Sequence, residues 1–193
     1  MIKIAITGNI ASGKSQVEKL LMSFNFKVID SDKINNELLT GNKEVINEIK
    51  SEFGEEVFEK SGEISKPKLA EIVFNSPGKK QKLENILHKR IFEKINEFFE
   101  EYKNEKFVFV SVPLLFETNW QNNFDKIIFV SSDEQTRLER LIKRNNLTKE
   151  QAQKRIQAQG NEKDKIKQSD YVIFNNSDIT ALEKAVKEII EKL

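Results

Sequence analysis

The chain has 193 residues, a length for one domain or for one domain carrying an insertion. Its 32 basic and 31 acidic residues leave a net charge of +1, which argues against a surface built throughout for nucleic acid or for an anionic membrane. Cysteine is absent and His88 is the single histidine, so disulfides and thiolate sites are excluded, and ordinary zinc sites and histidine-based triads are disfavoured. No apolar run approaches the roughly 18 residues of a membrane span. The apolar start is too short for a signal-peptide core, so a cytoplasmic protein is expected.

In chain order, the first element is a strand at 2–7. It runs straight into Gly8-Asn9-Ile10-Ala11-Ser12-Gly13-Lys14-Ser15, a complete match to G-x-x-x-x-G-K-[ST]. An amphipathic helix through Val17, Leu20, Leu21 and Phe24 follows. The glycines let successive N–H groups turn toward a β-phosphate, and the helix N-terminus adds partial positive charge. In that setting Gly8, Ala11, Ser12, Gly13 and Ser15 cradle the phosphates, Lys14 spans the β- and γ-phosphates, and the Ser15 hydroxyl binds Mg²⁺. ATP with Mg²⁺ is the expected pairing.

A second strand at 26–30 runs out into Asp30-Ser31-Asp32 at the ligand edge of the sheet. Strand alternation would put both carboxylates on one side, where one can orient an attacking hydroxyl and take its proton. Capping the next helix is the competing use of either. Residues 31–105 carry no convincing strand; the clearest helix is 79–102, with Leu83, Ile86, Leu87, Ile91, Ile95 and Phe98 on one face. So long a stretch reads as a helical insertion beside the sheet, with His88 packed in it and its lysines largely solvated.

A third strand, 106–112, ends Ser111-Val112-Pro113 where many ATPases place a metal-holding aspartate. A fourth lies at 126–130 and a fifth at 171–174. Between them, 133–168 is charged and helical and contains four of the five arginines. Arg137, Arg140 and Arg144 fall within roughly 60° on a helix. They make either a solvated face or a set of phosphate contacts on a closing lid. A final helix is expected from a Thr180/Glu183 capping box, with Leu182, Val186, Ile189, Ile190 and Leu193 on its buried face. Five apolar strands separated by helices give an α/β fold, a P-loop NTPase-type three-layer architecture with a five-stranded parallel sheet, a helical insertion and a helical lid. No Asn-Lys-x-Asp guanine reader is present, and a small-molecule kinase is the best class.

The chain resembles the dephospho-CoA kinase family along nearly its whole length. The resemblance rests on Ile6 to Ser15, on Val28-Ile29-Asp30-Ser31-Asp32-Lys33, and on Val112-Pro113-Leu114-Leu115-Phe116-Glu117. It continues through the R-x-x-x-R element of Arg140 and Arg144, Gln157-Ala158-Gln159, and Asp170-Tyr171-Val172-Ile173 followed by Asn175-Asn176. It implies a nucleotide-binding core (1–30, 106–132 and 169–193), a CoA-binding insertion (31–105) and a lid (133–168). It also implies transfer of the γ-phosphate of ATP to the ribose 3′-hydroxyl of dephospho-CoA, in a monomer or weak homo-oligomer. Asp32 matches the family's general base, Arg140 its lid arginine, and Asn175 the loop against adenine. Three positions depart from the pattern: Gln16 replaces a threonine in the nucleotide loop, Lys89 a proline after His88, and Lys165 an arginine near the end of the lid. The alternatives are another nucleoside or nucleotide kinase of this fold, and a nucleotide-dependent switch without turnover.

Overall fold

A computed structural model describes all of residues 1–193. Five strands, β1 (Ile2–Gly8), β2 (Lys27–Asp30), β3 (Phe107–Ser111), β4 (Lys126–Ser131) and β5 (Tyr171–Phe174), form one sheet in the order β2-β3-β1-β4-β5. β1 pairs in parallel with both β3 and β4, and β4 with β5. The central strand is therefore the first in sequence, flanked by strands that follow it by more than a hundred residues. Its carboxyl end lies at the crevice where ligands of open α/β sheets bind.

Alternation divides the apolar strand residues between two faces. Ile4 and Ile6 of β1, Phe107 and Phe109 of β3, and Ile128 and Val130 of β4 pack on one side. They meet Val17 and Leu21 of α1 (Lys14–Ser23) and Leu182, Val186 and Ile189 of α9 (Ile179–Lys192). Phe26 adds an edge-on ring contact to Phe109, with centroids 5.4 Å apart. The opposite face carries Ala5, Val108, Val110, Ile127 and Phe129, all buried. Strands buried on both faces explain why their sequences read as continuous apolar runs rather than as alternation.

The last helix starts earlier than the sequence pattern suggests. Its cap is Asp178, whose carboxylate accepts the Ala181 N–H at 2.9 Å, in place of a Thr180/Glu183 box. Asp is as good a cap as Thr, and one residue on, Ile179, the helix is already under way. Leu182, Val186 and Ile189 are buried as expected.

The chain divides into two compact units: Met1–Ile29 with Tyr102–Leu193, and Asp30–Glu101. The second is all-helical apart from one antiparallel bridge, Phe58 to Ile64. In it α5 (Pro77–Glu101) packs against α2 (Ser31–Gly41), α3 (Lys43–Phe53) and α4 (Lys66–Phe74). Its buried stripe is Leu87, Ile91, Ile95 and Phe99; Phe98, expected to carry that stripe, is only half-buried. A spacing of four from Ile95 to Phe99 holds the stripe in line, whereas Phe98 falls one position to the side. Much of the basic character of this helix is matched within the unit. Arg90 pairs with Glu48 at 2.7 Å and Lys82 with Glu52 at 2.5 Å. His88 is half-buried, and burial holds its pKa below the ordinary histidine value.

Candidate nucleotide site

The loop between β1 and α1 is built to stay open. Gly13 takes φ 99°, a left-handed conformation that costs a residue with a Cβ, and Ala11 takes φ 61°. Space gives a second reason for glycine at 13, since a Cβ there would lie 2.0 Å from Asn175 Nδ2. Gly8 is similarly closed off, with the Val130 carbonyl 2.5 Å from where its Cβ would be. The Ser12 N–H returns to the Asn9 carbonyl at 3.1 Å, which tightens the turn. No side chain caps α1, so its first N–H groups have neither a side-chain partner nor one from a preceding helical turn. Uncapped helix N-termini of this kind suit an anion.

Three elements hold the loop in shape. From beyond β5, Asn175 donates through Nδ2 to the Ser12 carbonyl at 2.8 Å and approaches the Gln16 side-chain oxygen at 3.5 Å. From α6 (Glu134–Asn145), Arg140 forks across the loop. Its two terminal nitrogens donate to the Ser12 carbonyl at 3.4 Å and to the Asn175 carbonyl at 3.0 Å. From the start of α8 (Glu162–Lys167), Glu162 accepts from Asn9 Nδ2 at 2.7 Å and from the Ser131 hydroxyl, and forms an ion pair with Arg137 at 3.3 Å. An apolar cluster of Leu138, Leu141, Ala152 and Ile156, from α6 and α7 (Lys149–Gln157), packs against Ile10 and Ala11.

The arginine cluster therefore splits three ways, and a single shared role does not describe it. Arg137 is buried in the Glu162 pair, with its Nε making no hydrogen bond. Arg140 lies on the phosphate loop. Arg144 is exposed, and its Nε donates to neighbouring Asn145. A rotation of 100° per residue explains the split, because the burying face of α6 is marked by Arg137, Leu138 and Leu141. Asp133 caps the helix, and the Thr136 N–H it accepts holds its carboxyl below the usual aspartate value.

Lys14 is not extended into solvent. Its ammonium donates to Glu18, one turn further along α1, at 2.9 Å, and to the Ser111 hydroxyl at the end of β3. Ser111 in turn donates to Glu18 at 2.7 Å. Side-chain exposure is 16% for Lys14 and 6% for Glu18, so the pair is largely sealed from water. Ser15, beside them, is exposed. The oxygens here are hydroxyls and a carboxylate, the hard donors that Mg²⁺ takes. No group of three or more acidic or imidazole side chains forms a cage.

Asp30 and Asp32 do not sit as a strand-end pair. β2 stops at Asp30 and helix α2 begins at Ser31, so strand alternation does not apply to Asp32. Asp30 is the helix cap, its carboxylate accepting the Asp32 N–H at 2.9 Å. Asp32 lies exposed in the first turn.

Several members of this site escape a reading of the sequence by motif. Glu18 stands four residues after Lys14, a helical neighbour that spacing alone could have found. Glu162 and Arg137 had no such signal, since the Asn9 to Glu162 contact spans 153 residues of sequence. Lys165, noted above as a departure, pairs with Glu117 of the Pro-Leu-Leu-Phe-Glu segment at 2.6 Å and reaches Asn9 at 3.4 Å.

A family model described as dephospho-CoA kinase matches residues 2–181. A dephospho-CoA kinase of Fusobacterium nucleatum is 40% identical over 190 residues, covering 98% of this chain and 97% of that one. Among solved structures, a protein of Thermus thermophilus aligns with a TM-score of 0.87 at 33% identity, covering 100% of this chain and 97% of its own. The dephospho-CoA kinase of Campylobacter jejuni aligns with a TM-score of 0.73 at 30% identity, covering 98% and 96%.

Proposed function

The chain belongs to the dephospho-CoA kinase family, and on that premise we propose how its residues divide the ATP-dependent phosphorylation of dephospho-CoA, at the ribose 3′-hydroxyl, to give coenzyme A. The observation that carries the reading is the uncapped, left-handed phosphate loop with Lys14 at its base and Arg140 forked across it. The backbone N–H groups from Gly13 to Ser15 bind the phosphates, and Lys14 leaves Glu18 to span the β- and γ-phosphates. The Ser15 hydroxyl would hold Mg²⁺, which when bound neutralises phosphate charge. Asn175, fixed against Ser12, and Gln16 line the nucleotide side. Asp32 orients the acceptor hydroxyl and accepts its proton, and the Asp30–Glu101 unit binds the acceptor. The residues from 133 to 168 act as a lid over the phosphates. The protein works in the cytoplasm as a monomer or weak homo-oligomer, on small molecules and without nucleic acid; no helix is long and apolar enough to cross a membrane.

The test is ADP release with ATP and Mg²⁺ against a panel of dephospho-CoA, nucleosides and nucleotides. Stimulation by dephospho-CoA alone is expected. Stimulation by a nucleoside or nucleotide instead would assign the chain to another kinase activity, and none at all would leave a nucleotide switch.

Arg140 gives a sharper handle. Its planar fork reaches two carbonyls 163 residues apart, those of Ser12 and Asn175. A lysine supplies the charge without the fork. Arg140→Lys should therefore lower kcat by roughly 10²-fold, as for removal of one preorganised donor from a transition state, with a smaller loss of ATP affinity from the loosened loop. Steady-state kinetics with nucleotide titration check this. A Lys variant as active as wild type would return Arg140 to a structural role.

A further inference from the structure

We propose that Glu18 is the positioning carboxylate of the nucleotide site, acting from α1 and through the Ser111 hydroxyl in place of the aspartate that ends the corresponding strand in many phosphate-loop ATPases. The proposal rests on the nucleotide-site reading above.

Three observations carry it. First, β3 ends at the ligand edge with Ser111, a neutral hydroxyl, so the strand itself offers no anionic oxygen there. Second, Glu18 is buried on the α1 face that also buries Val17 and Leu21. An apolar residue would suit that face better, because taking a carboxylate out of water is costly and replacing a buried ion pair by apolar groups is often neutral or stabilising. Third, the Glu18 oxygen is engaged by two partners that both belong to the site: Lys14, the phosphate-loop lysine, at 2.9 Å, and Ser111, at 2.7 Å.

The consequence is a change of partner on nucleotide binding. Before binding, Glu18 holds the Lys14 ammonium at the base of the loop, so the cation is already desolvated and placed. When Lys14 turns to the phosphates, Glu18 keeps Ser111, and its carboxylate is left as an unneutralised negative charge at the base of the loop. That charge attracts a divalent cation and repels nucleotide that carries none.

The signature is the dependence of nucleotide affinity on Mg²⁺, measured by calorimetric titration of ATP with MgCl₂ and, separately, with EDTA. In Glu18→Gln the ratio of the metal-free to the metal-bound Kd should fall about tenfold, through tighter metal-free and weaker metal-bound binding, as expected for one unit charge a few ångströms away at an intermediate dielectric. Ser111→Ala, which removes only a hydroxyl, should shift the ratio the same way by less. Adding Ser111→Asp to Glu18→Gln should restore it, because the charge returns at the strand end. A purely structural glutamate would lower the melting temperature and weaken both affinities together, leaving the ratio unchanged and the double variant without rescue. Unchanged ratios in both Glu18→Gln and Ser111→Ala overturn the proposal while the nucleotide site stands. A wild-type protein that binds no ATP under either condition overturns both.

Discussion

Asp32→Asn should transfer phosphate roughly 10²- to 10⁴-fold more slowly than wild type in single turnover, while binding ATP with Mg²⁺ about as well. The acceptor hydroxyl is a weak nucleophile whose proton must leave during or after attack, and an amide cannot take it. The loss stays short of total because phosphoryl transfer passes through a largely dissociative transition state, in which positioning counts for more than base strength. Asp30 supplies the control. Its carboxylate already accepts the Asp32 N–H as the cap of α2, and asparagine caps a helix as well as aspartate does. Asp30→Asn should therefore keep near-normal stability and most of the rate. An inactive Asp30→Asn beside a fully active Asp32→Asn would mean that the base has been assigned to the wrong carboxylate.

Lys14→Ala should lose kcat by about 10²- to 10³-fold, the range seen when one preorganised charge or donor facing the transition state is removed. It should also lose stability, which the motif alone does not suggest. Truncating Lys14 strands the Glu18 carboxylate, 6% exposed, with only the Ser111 hydroxyl for company. Breaking a fully buried pair costs about 3–5 kcal/mol; with Lys14 still 16% exposed, a loss of about 1–3 kcal/mol is expected. Lys14→Ala with Glu18→Gln should regain stability in denaturant titration without regaining turnover. Normal turnover in Lys14→Ala would remove the basis for the phosphate-loop reading. A double variant no more stable than the single one would show that the pair is not where the energy lies.

Much of this fold is legible because parallel strands buried on both faces leave unbroken apolar runs, such as Phe107–Val110 and Tyr171–Phe174. The glycine loop is legible for the same local reason: its chemistry is spelled out in eight consecutive residues. Local signals fail at element ends. Asp30 reads equally well as catalyst or cap, and only the onset of helix at Ser31 decides in favour of the cap. They fail more completely for the groups that brace the loop. Glu162 meets Asn9 and Ser131 because the chain after α7 returns to the first loop, and no periodicity records that return. Arg137 and Arg140, three residues apart on one helix, end in different surroundings because the burial boundary of α6 passes between them.

The position of Asn175 has a consequence for how the protein is made. During synthesis, domains generally fold as units while the chain emerges N-terminus first at about 5–20 residues per second. Gly8 to Ser15 are among the first residues out, yet β1 has no strand to pair with until β3 and β4 arrive. The amide that fixes Ser12 follows it by 163 residues. The loop is thus written first and set last. Its ligand can contribute to folding only by binding a finished site, so ATP cannot assist the nascent chain through most of its synthesis. Interruption between Ser15 and β5 leaves a chain with the whole phosphate-loop sequence and without Asn175, one of the side chains that brace it.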